Sequence, residues 1–599
     1  MKKSFDKIFE RRIILILLFF LVAYGALASR LFLMQIVRHG ESVRMAARQH
    51  GRSEEISSER GTIFAGDKTG ASIPFALNKT YKILIASPKL IANSEETASV
   101  IAEAFHLDKA DVMAKLAKKN DPYEVLARKI ESDAADQFAA QAGLPRNTTL
   151  ATSVLTPSAP AEGDIRGLPV GISFEDETRR IYPHGRMAAN TIGFVSSDQG
   201  VESGKYGIEK FYNTELSGAR GLWEGAKDAL GFWIALGRRI VRPPKDGASI
   251  LLTIDYPIQR KAEEILSAAR KKWDAASGLV IVMDPKTGRI LADARDPTFD
   301  PNEFFKEKDF GIFLNPMGEA SYEFGSVMKP ITMAGALEEK LVTPATTYND
   351  TGEIKIGSFT IRNFDGNAYH TMSMTQVLEK SLNTGVVYVA RLLGKKKQEE
   401  YLRAFGFGAR TGVDLPGEVA GDLSNLKSGR DSDFATASFG QGIAITPIQL
   451  AAAMGAIANK GILMKPYVVE KITDDSGNVA AHNPEVVRQV ISSATAEILT
   501  KMLVSVVKNG YEDRAGVKGY FIAGKTGTAQ MPKKDGRGYS DMVIHTFVGY
   551  APAFDPKFLI LLQLNEPQGN RFAANTLTTV FHDLAEFILH YYEVPPDEK

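Results

Sequence analysis

The chain has no cysteine among its 599 residues. That absence excludes disulfides, zinc–thiolate centres and thiol catalysis, and leaves packing as the source of stability. An excess of one charge is also missing. Seventy-two Lys and Arg offset 71 Asp and Glu, a formal net charge of +1. With no basic tract either, nothing in the chain argues for nucleic acid as a partner. Internal repeats and low-complexity tracts do not stand out, so repeat architectures are set aside.

Long apolar runs are lacking, with one exception. Ile13 to Ala28 is uncharged and apolar, and Lys2, Lys3, Lys7, Arg11 and Arg12 precede it. As a helix that run spans roughly 24 Å, short of the ~30 Å hydrocarbon core of a bilayer. Continuing through Leu31 to Val37 restores the length if Arg30 snorkels to the outer interface. The basic flank predicts a single-pass topology with the N-terminus inside. A cleavable signal peptide is the rival reading, because Ala26-Leu27-Ala28 resembles a cleavage site. Apolar character resumes after Ala28, which favours an uncleaved anchor over 13–37 with 1–12 as a cytoplasmic tail.

At 599 residues the chain is too long for one core, and two or more domains are expected. Its 44% hydrophobic and 24% charged residues are ordinary for folded protein. The stretch that carries chemistry is Glu323-Phe324-Gly325-Ser326-Val327-Met328-Lys329-Pro330. Behind it, Ile331 to Leu341 is apolar at helical spacing. Pro330 is tolerated only in a first turn, so the helix must begin close to Ser326. Ser326 and Lys329 then share one face at the positive end of that helix. Serine needs a nearby base to become a nucleophile, and lysine can be that base only when burial or a second cation lowers its pKa. Ser326 reads as nucleophile and Lys329 as its base.

Ser-x-x-Lys by itself is a weak signal. It recurs at Ser4, Ser424 and Ser505, while Ser-x-Asn occurs at Ser381 and Ser476, and Lys-Thr-Gly at Lys68, Lys286 and Lys525. Context separates the copies. Lys68 and Lys286 sit in turn-forming sequence, Ser476 lies in a polar turn, and Ser424 stands in a charged segment with no helix behind it. Ser381-Leu382-Asn383 joins two helical patterns, Met374 to Lys380 and Val386 to Leu393. Lys525-Thr526-Gly527-Thr528 follows a strand-like stretch, Val517 to Gly524, and precedes another at His545 to Tyr550. The ordered set is Ser326, Ser381, Lys525. A second ordered set, Ser424/Lys427, Ser476/Asn478 and Lys525, matches the patterns equally well, and only helix context argues against it.

The set Ser326-x-x-Lys329, Ser381-x-Asn383 and Lys525-Thr526-Gly527-Thr528 resembles the penicillin-interacting transpeptidases. Ser438-Phe439-Gly440-Gln441-Gly442, with Thr446-Pro447-Ile448-Gln449-Leu450 after it, is similar to the class B, monofunctional penicillin-binding proteins. Phe324 stands where many members carry proline. The resemblance implies a peptidoglycan D,D-transpeptidase that acylates Ser326 with D-Ala-D-Ala stem peptides or with β-lactams. It implies that Ser381 relays a proton, that Asn383 holds a substrate amide, and that Lys525 with Thr526 and Thr528 receives the terminal carboxylate. Backbone N–H groups of Ser326 and Thr528 would form the oxyanion hole. No cofactor or metal is implied, and His184, His370 and His545 read as structural. A carboxypeptidase or β-lactamase would use the same residues with water as acceptor. A penicillin-sensing receptor would need further membrane spans, and a noncatalytic scaffold would not need the intact trio.

The resemblance also implies an α+β architecture of three parts: the anchor, an elongated α+β pedestal over 40–242, and a transpeptidase domain over 248–595. Arg60-Gly61-Thr62-Ile63, Arg180-Ile181-Tyr182-Pro183 and Tyr206-Gly207-Ile208-Glu209-Lys210 are similar to marks of the pedestal. Within it, Ser94 to Lys118 and Ala134 to Ala142 read as helices, Thr156 to Gly167 as a surface loop, and Trp223, Phe232 and Trp233 as local packing. Beyond Arg242-Pro243-Pro244, the strands Ser249 to Ile254, Gly278 to Met283 and Ile290 to Ala294 are expected in one antiparallel sheet with strands after Tyr520. Helices Tyr256 to Trp273 and Leu577 to Tyr592 would flank it. The membrane and a separate membrane-bound glycan polymerase are the expected partners, and septation the expected setting.

Overall fold

The computed structural model describes residues 17, 19–33, 51–56, 58–141, 171–198, 201–226, 239–533 and 538–597. Most of the expected anchor's flanks, the 156–167 loop, Phe232 and Trp233 lie outside the described residues. Residues 19–32 are helical, and among the described residues no helix is long and apolar enough to cross a membrane.

The chain packs as two units. The smaller holds 81–177 and 218–246 with the N-terminal residues up to 59. Its core gathers Leu84, Ile101, Val112, Leu116, Leu126 and Phe138 from strands and helices. The expected helix over 94–118 is two helices, Ser94–Phe105 and Lys109–Leu116, because His106 turns left-handed (φ 52°) and ends the first. Asn93 and Asp108 cap the two N-termini by accepting backbone N–H groups.

The larger unit holds 60–80, 178–217 and 247–599. The segment 40–242 is therefore divided between the units. The marks at Arg60, Arg180 and Glu209 explain the division. Arg60 Nε and Arg180 Nε donate to the two Glu209 oxygens at 2.7 and 2.8 Å, and all three side chains are almost fully buried. A buried carboxylate is stable only when paired, so these residues fold together wherever they stand in the chain.

Five antiparallel strands form the central sheet: β1 (Ser277–Met283), β2 (Ile290–Asp296), β3 (Ala523–Pro532), β4 (Tyr539–Ala551) and β5 (Phe558–Asn565), in the order β2-β1-β5-β4-β3. Ser249–Asp255 is not among them, contrary to the sequence expectation. One of its edges pairs with Ile63–Gly66 in parallel and the other with Val469–Thr473, so its ladder is filled elsewhere.

Both faces of the sheet are covered. A Cβ on Gly278 would meet Leu266 of α1 (Tyr256–Lys272), whereas Met283, of opposite parity in β1, reaches Gly455 of α2 (Pro447–Ala458). Every residue of α2 is buried, as expected of a helix apolar all round. Thr446 and Gln449 form a capping box at its start, and the Gln449 amide also donates to Ala409 and Ala420 carbonyls. The Thr-Pro-x-Gln motif is thus a structural staple.

Candidate active site

Three peptide segments converge on one point of the larger unit. The first is the turn Gly325–Met328, a 3₁₀ turn that leads into the α-helix Lys329–Glu338. The α-helix starts at Lys329 and not at Ser326. Because 3₁₀ geometry eclipses positions three apart, Ser326 and Lys329 still share a face. Gly325 lies at φ +64°, and a Cβ there would meet the Thr528 carbonyl oxygen at 2.8 Å. Ser326 is half-buried and lines a cleft of about 990 Å³. Among the described residues its hydroxyl has no hydrogen-bond partner.

The second segment ends the helix Met374–Glu379. Ser381 N donates to Leu378 O at 3.2 Å and Leu382 N to Val377 O at 2.9 Å, the two bonds of a Schellman motif. Its left-handed residue, commonly glycine, is here Ser381 at φ +56°. This conformation aims both its carbonyl and its hydroxyl at Lys329. Asn383 opens the helix Asn383–Leu393, donates to Arg362 O at 2.9 Å and lines the cleft.

The third segment is β3, an edge strand that already includes Lys525 to Thr528. The strand-like reading of 517–524 is displaced: the ladder begins at Ala523, after a turn whose ends Val517 and Tyr520 bridge. Gly527 is required by contact, since a Cβ would stand 2.4 Å from Phe324 O. Gly440 of the Ser-Phe-Gly-Gln-Gly loop is required in the same way, 2.4 Å from Gly325 O. Strand, turn and loop are stacked backbone on backbone, which sets the serine's position.

Lys329 and Lys525 are both fully buried, and among the described residues neither has a carboxylate within salt-bridge distance. Lys329 Nζ donates to Ser381 O and, at 3.2 Å, to Ser381 Oγ. Lys525 Nζ donates to Ser381 Oγ at 3.0 Å, Tyr511 OH at 3.2 Å and Thr526 O at 3.2 Å. Counting hydrogens assigns the charges. An ammonium has three N–H groups, and Lys525 has three acceptors; a neutral amine has two and a lone pair, and Lys329 has two acceptors. Burial first, and the Lys525 charge second, hold the Lys329 amine well below the ordinary lysine range. The Ser381 oxygen, receiving from both lysines, keeps its own hydrogen free to donate.

The two threonines of the strand differ. Thr528 lines the cleft, its Oγ1 accepting from Ala573 N at 3.1 Å. Thr526 is buried, its Oγ1 2.9 Å from Tyr511 OH, so the expected contact of Thr526 with a substrate carboxylate is not prepared here. Tyr511 went unnoticed in the sequence. It stands in the polar stretch Asn509 to Arg514 without local periodicity, and only the fold brings it to Lys525.

A profile of the penicillin-binding protein transpeptidase domain matches residues 278–586, and one of the penicillin-binding protein dimerisation domain matches 55–252. The chain belongs to the class B penicillin-binding proteins. It is 30% identical to stage V sporulation protein D of Bacillus subtilis over 565 residues, 94% of this chain and 82% of that one. It is 27% identical to the peptidoglycan D,D-transpeptidase FtsI of Buchnera aphidicola, covering 99% and 97% of the two chains. Penicillin-binding protein 2X of Streptococcus thermophilus shares the fold at a TM-score of 0.75 and 23% identity, over 90% of this chain and 80% of that one. Penicillin-binding protein 3 of Mycobacterium tuberculosis, solved with ampicillin, does so at 0.68 and 24%, over 91% and 98%.

For a penicillin-binding protein the decoy copies are in harmless places. Lys68 and Lys286 occupy turns closed by Asp67 and Asp284, and Ser476 a turn closed by Asp474. Ser424 does begin a short 3₁₀ helix, Ser424–Ser428, correcting the expectation of no helix there. Both Ser424 and Lys427 are exposed, so this pair lacks the burial that encloses Lys329.

Proposed function

We propose that this penicillin-binding protein cross-links peptidoglycan stem peptides through an acyl-enzyme on Ser326. The observation that carries the reading is the Ser381 hydroxyl gripped by two buried lysines beside an unbonded serine in a cleft. Ser326 Oγ attacks the carbonyl carbon of a D-Ala–D-Ala bond while its proton passes to the Lys329 lone pair. The carbonyl electrons move onto oxygen, facing the backbone N–H groups of Ser326 and Thr528; a donor of that kind contributes about 3–4 kcal/mol. Collapse breaks the C–N bond. The departing amine takes the Ser381 proton, and Lys329 returns one to Ser381. An amine from a second stem then attacks the ester carbonyl, and its proton travels the same relay back to Ser326 Oγ. Thr528 meets the terminal carboxylate, which the buried charge of Lys525 behind it attracts.

The test is chemical. A penicillin should add one penicilloyl group per chain, mapping to the peptide that holds Ser326, and a D-Ala-D-Ala pentapeptide with an amine acceptor should release D-alanine and form the cross-linked product. An adduct on any other residue would overturn the site, and release with water alone as acceptor would favour the hydrolase.

The setting is proposed on sequence grounds. Residues 13–37 would anchor the chain in the cytoplasmic membrane with the catalytic unit outside, as the basic flank supports. N-terminal analysis of membrane-purified protein beginning at Ser29 would defeat this. A separate membrane glycan polymerase would dock on residues 1–242 during septation. Exchanging residues 1–59, which lie outside the larger unit, for an unrelated anchor should spare penicillin acylation and abolish complementation; surviving complementation would remove the docking proposal from that segment.

A further inference from the structure

Tyr511 follows a π-turn, Val506–Gly510, and is 4% exposed. Its hydroxyl is the meeting point of three donors: Lys525 Nζ at 3.2 Å, Thr526 N at 2.9 Å and Thr526 Oγ1 at 2.9 Å. The Lys525 ammonium also lies 5.8 Å from the centre of the Tyr511 ring, and that ring packs at 6.1 Å from Phe547. Among the described residues, the phenol oxygen thus supplies one of three acceptors for a fully buried cation. We propose that Tyr511 is a positioning residue that holds the Lys525 ammonium over Ser381, and through it keeps Lys329 unprotonated for the attack.

The argument is one of hydrogen-bond supply. Without the phenol oxygen, one Lys525 N–H has no acceptor, and a buried charge that loses a partner moves or gives up its proton. Either response weakens the positive field at Lys329, and the base then holds its proton to higher pH. The titratable and charged groups on the surrounding elements include Lys329, Lys525, Glu379, Lys508, Glu512, Asp513, Arg514 and His545, and Lys508 is exposed. Glu379 is engaged by Ser505 and Asn509, Glu512 pairs with Arg514, and His545 meets Thr576. Asp513 lies beside Gly516, leaving the two lysines as the charges bonded into the Ser381 network. Tyr511 has a second effect: by occupying Thr526 Oγ1, it leaves Thr528 as the strand hydroxyl facing the cleft.

This inference rests on the acyl-enzyme reading, which wild-type labelling tests separately. The experiment is the second-order rate of acylation by a fluorescent penicillin, measured across pH for the full chain and for Tyr511→Phe, with melting temperature recorded in parallel. The acid limb of the Tyr511→Phe profile should move up by about one pH unit, with a rate near pH 7 about tenfold lower and recovery at higher pH. Tyr511→Gln, which retains an acceptor oxygen, should fall between the two, and decides the matter if the phenylalanine variant does not fold. Phe547→Leu loosens the same packing but leaves the hydroxyl, and should lower the melting temperature without moving the limb. A limb unmoved in whichever Tyr511 variant folds, or moved as far by Phe547→Leu, would overturn the proposal.

Discussion

Lys329 and Lys525 are both inaccessible to solvent and bond to the same hydroxyl oxygen, Ser381 Oγ, at 3.2 and 3.0 Å. Two cations so placed cannot both keep their charge at little cost, and the one with fewer acceptors yields its proton. Lys329 is that one: burial first, and its charged neighbour second, hold its amine below the ordinary lysine range.

Lys525→Gln should therefore move the acid limb of penicillin acylation to higher pH, because the wild-type depression of the Lys329 pKa loses its second cause. The rate is high above the base's pKa and falls as pH drops through it, so a higher pKa costs most at neutral pH. The measurement is the pH profile of acylation; a uniform fall in rate with an unmoved limb would reject the coupling.

Gly527→Ala tests the stacking of strand on turn. A Cβ at 2.4 Å from Phe324 O must push backbone from backbone. Misplacement by about 1 Å can cost a hundredfold in rate, so acylation by the folded protein should drop by about that factor, while overpacking lowers stability by about 1–3 kcal/mol. Labelling kinetics well below the melting temperature of the variant decide it.

Ser424→Ala should leave penicillin labelling near wild type, while Ser326→Ala should eliminate it. Both residues lie in the first two positions of 3₁₀ turns, so local geometry does not distinguish them. Burial does: Lys329 is sealed in and Lys427 is in water. Loss of labelling in folded Ser424→Ala would reverse the assignment.

These residues also mark how far the sequence could be read. Ser326 was legible because Pro330 bounds a helix start and an apolar run follows it. Lys525 was legible by elimination, since the other two Lys-Thr-Gly copies carry turn chemistry in Asp67 and Asp284. The catalytic sheet emerged from apolar strands, yet Ser249–Asp255 was assigned to it wrongly, because periodicity reports that a strand is buried and not which edge it joins. Tyr511 and the withdrawal of Thr526 were invisible, for they depend on a contact between a polar loop and a strand. The division of 40–242 was hidden likewise, in the pairing of Arg60 with Glu209.

That pairing gives a stability prediction. Glu209 is fully buried and is gripped by Arg60 and Arg180. Glu209→Gln leaves two guanidinium groups short of their counter-ion, and breaking a buried pair costs about 3–5 kcal/mol. Denaturant unfolding of the larger unit should show a midpoint lowered accordingly; a change below about 1 kcal/mol would mean that water replaces the carboxylate.

His545 supplies a pH-dependent counterpart. Its ring is fully buried on β4, with Nδ1 at 2.9 Å from Thr576 Oγ1, and burial pushes its pKa down to about 4. The folded chain therefore resists protonation that the unfolded chain accepts near pH 6.5. Between those values the unfolded state binds more protons, so stability rises with pH. The contribution is complete above about pH 6.5 and is lost as pH falls towards 4, a change of roughly 3 kcal/mol at most. Asp255 and Glu263 act in the opposite sense, since burial raises their pKa values to about 6 and about 7 and the folded state then binds protons more tightly. A variant must therefore be compared with wild type at each pH. His545→Asn can keep an amide near the Nδ1 position and has no proton to gain. The stability difference between His545→Asn and wild type should shift in favour of the variant by about 2 kcal/mol between pH 7 and pH 5, read from urea midpoints. A difference that stays constant across that range would show that His545 does not titrate with unfolding.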